Sequence, residues 1–523
     1  MTHDAGRIRV ILALVSAGSA AAVRADIHIE QIGRYETGIY DGTAAEIPAY
    51  DAASRRVFVT NSADQTIDII DVSDPSSPTL VTQVDVTPWG ASPNGVAARG
   101  GIIAAAVQTE PKTEPGSVIL MNADGTVLSA VVVGALPDMV TFTPDGTAVL
   151  SANEGEPNDD YSIDPIGTIS VIDVTGGAEH VTQDDVTSLD FSAFNDAELP
   201  GVRLFGPGAS VAQDIEPEYV AVTADSTTAY VTLQENNALA IVDVPGKRIT
   251  GVVALGAIHH NKKRYAMDCS DRDGGIGIKK RPVRGLFLPD AIAAYTAGDG
   301  KTYAVTANEG DARDYETFAE EERIGDLLLD PEAFPDAAFL QQDSELGRLN
   351  VTTTMGDVNN DGAYEELYSF GTRSFTIWNR RGKRKFDSGS DIERITAAAL
   401  PADFNSDNAE NDSFDSRSDN KGPEPEALAI GEVDGRVYAF IGLERIGGIL
   451  VYDITEPKDV RFIEYVNYRD FSGDAEDGTA GDLGPEGIVF VSASDSPIAA
   501  PLLIVAHEVS GSTAIFRVGS ARP

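Results

Sequence analysis

Leu136-Pro137-Asp138-Met139-Val140-Thr141-Phe142-Thr143-Pro144-Asp145-Gly146-Thr147-Ala148-Val149-Leu150-Ser151-Ala152-Asn153-Glu154 is the stretch that decides the fold. Two short apolar runs flank a Pro-Asp-Gly turn, which reads as a β-hairpin. An acid opens the first run and a Glu closes the second. The opening recurs as Glu46-Ile47, Pro93-Asn94, Pro217-Glu218, Pro289-Asp290, Pro425-Glu426 and Pro485-Glu486. The closing recurs as Gln234-Glu235, Asn308-Glu309 and His507-Glu508, and more loosely as Leu443-Glu444. A third run follows each hairpin, as in Val171-Ile172-Asp173-Val174, Ile69-Ile70-Asp71-Val72, Ile241-Val242-Asp243-Val244 and Leu450-Val451-Tyr452-Asp453-Ile454. Fourth runs are visible at 80–86, 127–133, 249–255 and 461–466. Four antiparallel strands in a unit of roughly 40 to 45 residues mark a propeller blade.

The reading is therefore all-β, a seven-bladed β-propeller of the YVTN/WD-like repeat kind forming one domain over residues 26–523. The last blade lacks a fourth run before the chain ends. Ile27-His28-Ile29-Glu30-Gln31-Ile32 has the pattern of one, so the N-terminal strand is expected to complete that blade and close the ring. Closure removes exposed sheet edges. Four stretches interrupt the repeats as insertions: about 156–166, 256–288, 310–366 and 387–424. In a propeller the first strand leaves one face and the second returns to it. The opening acids (Glu46, Asp138, Glu218, Asp290, Glu426, Glu486) and the closing acids (Glu154, Glu235, Glu309, Glu444, Glu508) are thus expected near the axis, on the face that carries the insertions.

The N-terminus has the form of an export signal over residues 1–25. Arg7 and Arg9 precede the apolar run Val10–Val23, and Val23-Arg24-Ala25 places small residues at a cleavage site. The run is short for a membrane-spanning helix, and no other segment has the length. The expected location is periplasmic or extracellular. The chain has one cysteine, Cys269, so it has no internal disulfide. Its net charge is −44, and −46 once the leader with its three Arg and one Asp is removed. Such a surface repels nucleic acid and anionic membranes, and suits divalent cations or simple solubility. A monomer is expected.

Asp357-Val358-Asn359-Asn360-Asp361-Gly362-Ala363-Tyr364-Glu365 is the sharpest local motif. Oxygen ligands at Asp357, Asn359 and Asp361, Gly at the sixth position and Glu365 at the ninth match the start of a calcium loop. The twelfth position is Tyr368 rather than the Glu of an EF-hand, so the shorter loops of extracellular β-proteins are the better match. The same residues also favour a plain turn. Two acidic loops are less specific: Asp268, Asp271 and Asp273, and the stretch from Asp403 to Glu426 with Asp407, Asp412, Asp415, Asp419 and Glu424 interleaved with Arg417 and Lys421; each is read either as a cation site or as a carboxylate–arginine network. The recurring acids pose the same choice. Clustered like charges need cations or basic partners to stay ionised, and Arg313, Arg373, Arg394, Arg417 and Arg445 are candidate partners. Alternatively each acid only ties one blade to the next. The basic islands Lys262-Lys263-Arg264, Lys279-Lys280-Arg281 and Arg380–Lys385 are read as an anion site or as solvated loop charge. No nucleophile elbow, phosphate-binding loop or zinc-protease motif is present, and the five His that follow the leader (His28, His180, His259, His260 and His507) are too few for a two-zinc centre. No organic cofactor is expected; calcium is.

With these motifs assembled, the chain resembles the choice-of-anchor I family of exported bacterial propellers, related to mesenchyme-specific cell-surface glycoproteins linked to biomineralisation. The resemblance runs from about Gly38 to Val518. It rests on Leu136-Pro137-Asp138, Ala152-Asn153-Glu154-Gly155-Glu156-Pro157-Asn158-Asp159-Asp160-Tyr161, Ser270-Asp271-Arg272-Asp273-Gly274-Gly275, Asn308-Glu309-Gly310-Asp311-Ala312-Arg313-Asp314-Tyr315, Asn411 to Asp419, and Gly484-Pro485-Glu486-Gly487. Together with the calcium motif at 357–365, the first reading is a non-enzymatic calcium-binding surface protein with an unknown ligand at the loop-rich face. Some members are labelled alkaline phosphatase, which implies as the alternative a calcium-dependent phosphoesterase. Asp412, Asp415, Arg417, Asp311 and Arg313 would then be the catalytic candidates. The chain ends without a sorting tail, so a periplasmic or released protein is expected.

Overall fold

The computed structural model describes residues 9–10 and 27–520. The export signal expected over residues 1–25 lies outside them, apart from the two-residue strand Arg9–Val10. The chain is all-β. Among the described residues, seven antiparallel sheets of four or five strands follow one another along it, with strands in chain order except that Arg9–Val10 and Ile27–Glu36 from the N-terminus join the sixth and the seventh; three smaller sheets lie in the insertions. The third sheet carries the deciding hairpin, Pro137–Phe142 and Ala148–Asn153, then Thr168–Asp173 and Val186–Asp190. The first strands of the seven are Pro48–Asp51, Ser92–Arg99, Pro137–Phe142, Pro217–Val222, Ile292–Thr296, Pro425–Val433 and Pro485–Val491.

The seventh sheet is completed as the sequence led us to expect. Ile27–Glu36 pairs antiparallel with Ser512–Ser520, with Gln31 opposite Phe516. Each first strand touches the first strands of the sheets before and after it, and the seventh touches that of the first sheet. Apolar cores fill every gap between neighbours. Val305, Ile377, Ile441 and Tyr452 join the fifth and sixth sheets. Val57, Val59, Ile504 and Ile515 join the first and the seventh. The approach at the centre is close. A Cβ on Gly487 would lie 2.5 Å from the carbonyl oxygen of Glu46, and one on Gly95 would lie 2.6 Å from that of Asp138. Only glycine lets these innermost strands pass.

The fifth sheet is split. Ile292–Thr296 and Thr302–Ala307 are followed by Phe375–Asn379 only after the long insertion, and Arg384–Asp387 supplies a fourth strand that the sequence did not reveal. The insertions are not loose loops. Met267, Cys269 and Val283 from one, and Ile324, Phe334, Leu340, Leu346 and Val351 from another, share a single buried apolar cluster. Arg373 staples this cap. Its Nη1 donates to the Asp268 carbonyl at 2.5 Å and to Glu393 Oε1 at 2.7 Å, and its Nη2 donates to the Ser418 and Asn420 carbonyls at 2.8 and 2.7 Å. Glu393 lies on the short helix Asp391–Ala399. No helix among the described residues is long and apolar enough to cross a membrane.

Candidate functional site

The recurring acids are brought together by a backbone device. In the third sheet Pro137 pairs with Asn153 and Met139 with Ala152, which leaves Asp138 unpaired in a bulge. The same register shift falls at Asn94, Glu486 and the Glu218-Tyr219 and Glu426-Ala427 steps. A bulge re-aims the side chain it releases. Here it turns the acid away from its own sheet and into the centre.

The result is a well of about 360 Å³ lined by Glu46, Asp138, Glu154, Glu218, Asp290, Glu309, Glu426 and Glu486, with Asn94, Gln108 and Gln234. Glu235, Glu444 and Glu508 stand beside it and act on these acids electrostatically. The eleven acids expected near the axis are therefore gathered in one place. Burial pushes Glu154, Glu218, Glu235, Asp290, Glu426, Glu444 and Glu486 well above the usual carboxylate range, and neighbouring carboxylates push further. Burial likewise raises Glu508, Asp138 to about 7 and Glu46 to about 8, against a 2.5 Å hydrogen bond from Ser62 that favours its charged form. One oxygen on each of Glu218, Glu235, Glu426 and Glu444 is buried without a hydrogen-bond partner. The side chains just before the closing acids are structural. Asn153 Nδ2 donates to Thr168 Oγ1 at 3.0 Å and Ser170 Oγ at 3.1 Å, and Asn308 Nδ2 to Thr372 and Thr376 Oγ1 at 2.9 Å, tying second strand to third.

The basic partners differ from the expected set. Of the five candidate arginines, Arg445 alone forms an ion pair with a recurring closing acid among the described residues, reaching Glu444 at 2.9 Å. Arg313 is held by Asp214 and by Glu216 at 2.9 Å. Arg373 pairs with Glu393, Arg417 with Glu424 at 2.7 Å, and Arg394 donates to Ser390. Lys421, read in the sequence as a charge within the acidic stretch 403–426 and not as a partner of the recurring acids, reaches Glu309 at 2.8 Å, Asp311 at 3.1 Å and Glu424 at 3.3 Å. Glu424, from the same stretch, is the carboxylate that Arg417, Lys421 and Arg445 share. Burial opposes its charge, but Lys421, Arg445 and Arg417 hold it down to about 2. No spacing in the sequence marks Lys421, because the insertion that carries it is placed by the cap.

The loop at 357–365 brings three of its four candidates together. Ligand oxygens of Asp357, Asp361 and Glu365 all lie within 4.8 Å of one another. Asp357 accepts from the Asp361 and Gly362 amides at 3.1 and 2.9 Å. Asn359 instead gives its side-chain amide to Glu365 at 2.6 Å. In the other acidic loop each carboxylate has a protein partner: Asp268 accepts from the Gly277 amide, Asp271 from Arg348 at 2.5 Å and Asp273 from Lys279 at 3.3 Å. That is the network reading. Of the phosphoesterase candidates, Arg313 and Arg417 are engaged as above, and Asp415 is buried, accepts from Ser418 at 2.5 Å and is raised by burial to about 8. Asp412 is exposed, and Asp311 is exposed apart from its bond to Lys421.

A family model, the choice-of-anchor I domain, matches residues 46–457. Gigasin-3a of Magallana gigas is 34% identical over 190 residues, which are 34% of this chain and 66% of that protein. A mesenchyme-specific cell surface glycoprotein of Strongylocentrotus purpuratus is 27% identical over 291 residues, 49% of this chain and 36% of that protein. The chain covers less than two thirds of either relative. Among solved structures, Kuenenia stuttgartiensis hydrazine synthase aligns over 93% of this chain and 100% of that chain, with a TM-score of 0.46 and 14% identity. The Cps50 (Swd1) β-propeller domain of Myceliophteria thermophila aligns over 94% and 100%, with a TM-score of 0.46 and 9% identity.

Proposed function

The chain belongs to the choice-of-anchor I domain family, and from that premise we propose that it is an exported, surface-associated binding protein: a seven-bladed propeller that takes a cationic ligand at its hub. The single observation that carries this is the well. Carboxylates from six of the seven sheets converge there, and several keep a buried oxygen with no partner. An uncompensated buried carboxylate is costly, and a bound cation removes the cost. The cyclic contacts and shared cores of the seven sheets support the closed ring. The surface role is supported by a relative described as a cell surface glycoprotein. Calcium at Asp357, Asp361 and Glu365 is part of the same reading, since three oxygen ligands at this spacing suit a hard cation.

Binding is favoured over phosphoester hydrolysis for a geometric reason. Hydrolysis needs a guanidinium or ammonium free to receive phosphate, and Arg313, Arg417 and Lys421 are each consumed by carboxylates. Two measurements test the proposal. Fractionation of cells producing the full chain should recover it outside the cytoplasm, and calorimetric titration with calcium should show uptake that chelation reverses. A cytoplasmic protein, or no uptake at millimolar calcium, overturns it.

A further inference from the structure

We infer that Glu309, Glu426 and Glu444 form a second, buried binding site for a hard divalent cation, calcium by chemical class, which clamps the fifth sheet to the sixth. The inference rests on the reading of the well as a cation site and goes further by naming ligands and ion. Each carboxylate offers an oxygen within 4.8 Å of the others. Oxygens sharing one calcium ion, each at about 2.3 to 2.6 Å from it, are necessarily this close.

The three arrive from separate strands. Glu309 follows the strand Thr302–Ala307 of the fifth sheet, Glu426 sits in the bulge of Pro425–Val433 in the sixth, and Glu444 follows Arg436–Leu443. They are 8%, 8% and 5% exposed. The independent pointer to a ligand is the state of their oxygens. Oε2 of Glu426 and Oε2 of Glu444 are buried and accept no hydrogen bond.

Nearby cations do not fill the gap, because Glu424 draws them off. Arg417, Lys421 and Arg445 all reach Glu424. Lys421 then touches only Oε1 of Glu309, and Arg445 only Oε1 of Glu444. Glu309 Oε2 accepts from Gln234 Nε2 at 2.8 Å. Glu426 forms no ion pair among the described residues, and Glu486, Glu444, Glu309 and Asp290 press on it electrostatically. The cluster therefore keeps two buried oxygens, on Glu426 and Glu444, that no protein group satisfies. With oxygen alone as donor and no His or Cys among the three ligands, a hard cation is the match.

The test is calcium binding by equilibrium dialysis at pH 7.5, with thermal melts in EDTA and in calcium, on the full chain and three variants. The wild type should take up two ions. Glu426→Gln and Glu444→Gln should each lose one, with at least tenfold weaker affinity at that site, while Asp361→Asn with Glu365→Gln should lose the other. In EDTA Glu426→Gln should melt no lower than the wild type, since it removes a buried carboxylate that forms no ion pair, and in both hub variants the rise in melting temperature given by calcium should shrink. That sign separates lost binding from lost folding. One ion in the wild type, lost in the loop variant and kept in both hub variants, sinks the hub site and leaves the protein a calcium binder. No uptake by any of the four sinks both readings.

Discussion

Raising the pH of the chelated protein from about 6.5 to about 8 will lower its stability, and the structure sets the sign and scale. Glu46 lies at about 8 in the fold, chiefly through burial, and Asp415 also at about 8 for the same cause. In the unfolded chain both ionise near the ordinary carboxylate value of about 4. Between those limits the native state holds protons that the unfolded state has released. Stability is then fully present below the unfolded value and is lost as pH climbs through the folded one. One such proton is worth about 1.4 kcal/mol per pH unit. Allowing for progressive ionisation as pH nears 8, each group contributes roughly 1.6 kcal/mol across this window and the pair roughly 3 kcal/mol. The acids held well above the usual range add to this slope. The opposing groups act elsewhere. Burial holds His260 down to about 3 and lowers His507, so they weaken the fold only as pH falls below the ordinary histidine value of 6.5. Glu424, depressed to about 2, matters only in acid. Urea unfolding in EDTA at half-unit steps across the window measures the slope, and added calcium should flatten it by keeping the well's carboxylates compensated. Unfolding free energy that stays level or rises with pH in EDTA refutes the argument.

Three further outcomes follow from particular contacts. Arg373→Met should destabilise the cap by about 3 to 5 kcal/mol, because it leaves Glu393 buried and unpaired; pairing it with Glu393→Met should restore most of that, and a double-mutant cycle with no coupling would contradict the assignment. Asp361→Asn with Glu365→Gln should abolish one calcium site while leaving the chelated protein's melting temperature within a degree or two of wild type, since the loop is largely exposed; terbium luminescence sensitised by Tyr364 reads the loss. Gly371→Ala should cost on the order of 1 to 3 kcal/mol, as its φ is 67° and an added Cβ would stand 2.4 Å from the Glu309 carbonyl; chemical denaturation checks it.

Much of the scaffold was legible because local chemistry repeats. Pro-Asp-Gly turns and period-two runs mark strands wherever they occur, and Ile27–Ile32 announces its partner by likeness to the fourth runs. The gathering of the acids follows from chain direction, since the start of each first strand and the end of the second lie side by side, as Pro137 and Asn153 do. What the sequence hid depends on pairing at a distance. The bulge that frees Asp138 exists only once Pro137 is set against Asn153 and Met139 against Ala152. The cap's core draws Met267, Phe334 and Leu346 from stretches with no shared period, so nothing local marks them as neighbours. Four of the five candidate arginines have other partners for the same reason. Arg313 sits four residues from Glu309 in the chain, yet its carboxylates, Asp214 and Glu216, come from a connection a hundred residues away. Lys421 does the work expected of it at Glu309.

The most direct test of the central claim is an anomalous difference map from crystals grown with manganese, a hard cation that scatters strongly. The account predicts a peak in the hub well among the carboxylates of Glu309, Glu426 and Glu444. Density confined to the loop at 357–365, with the well holding only protein and water, would contradict it.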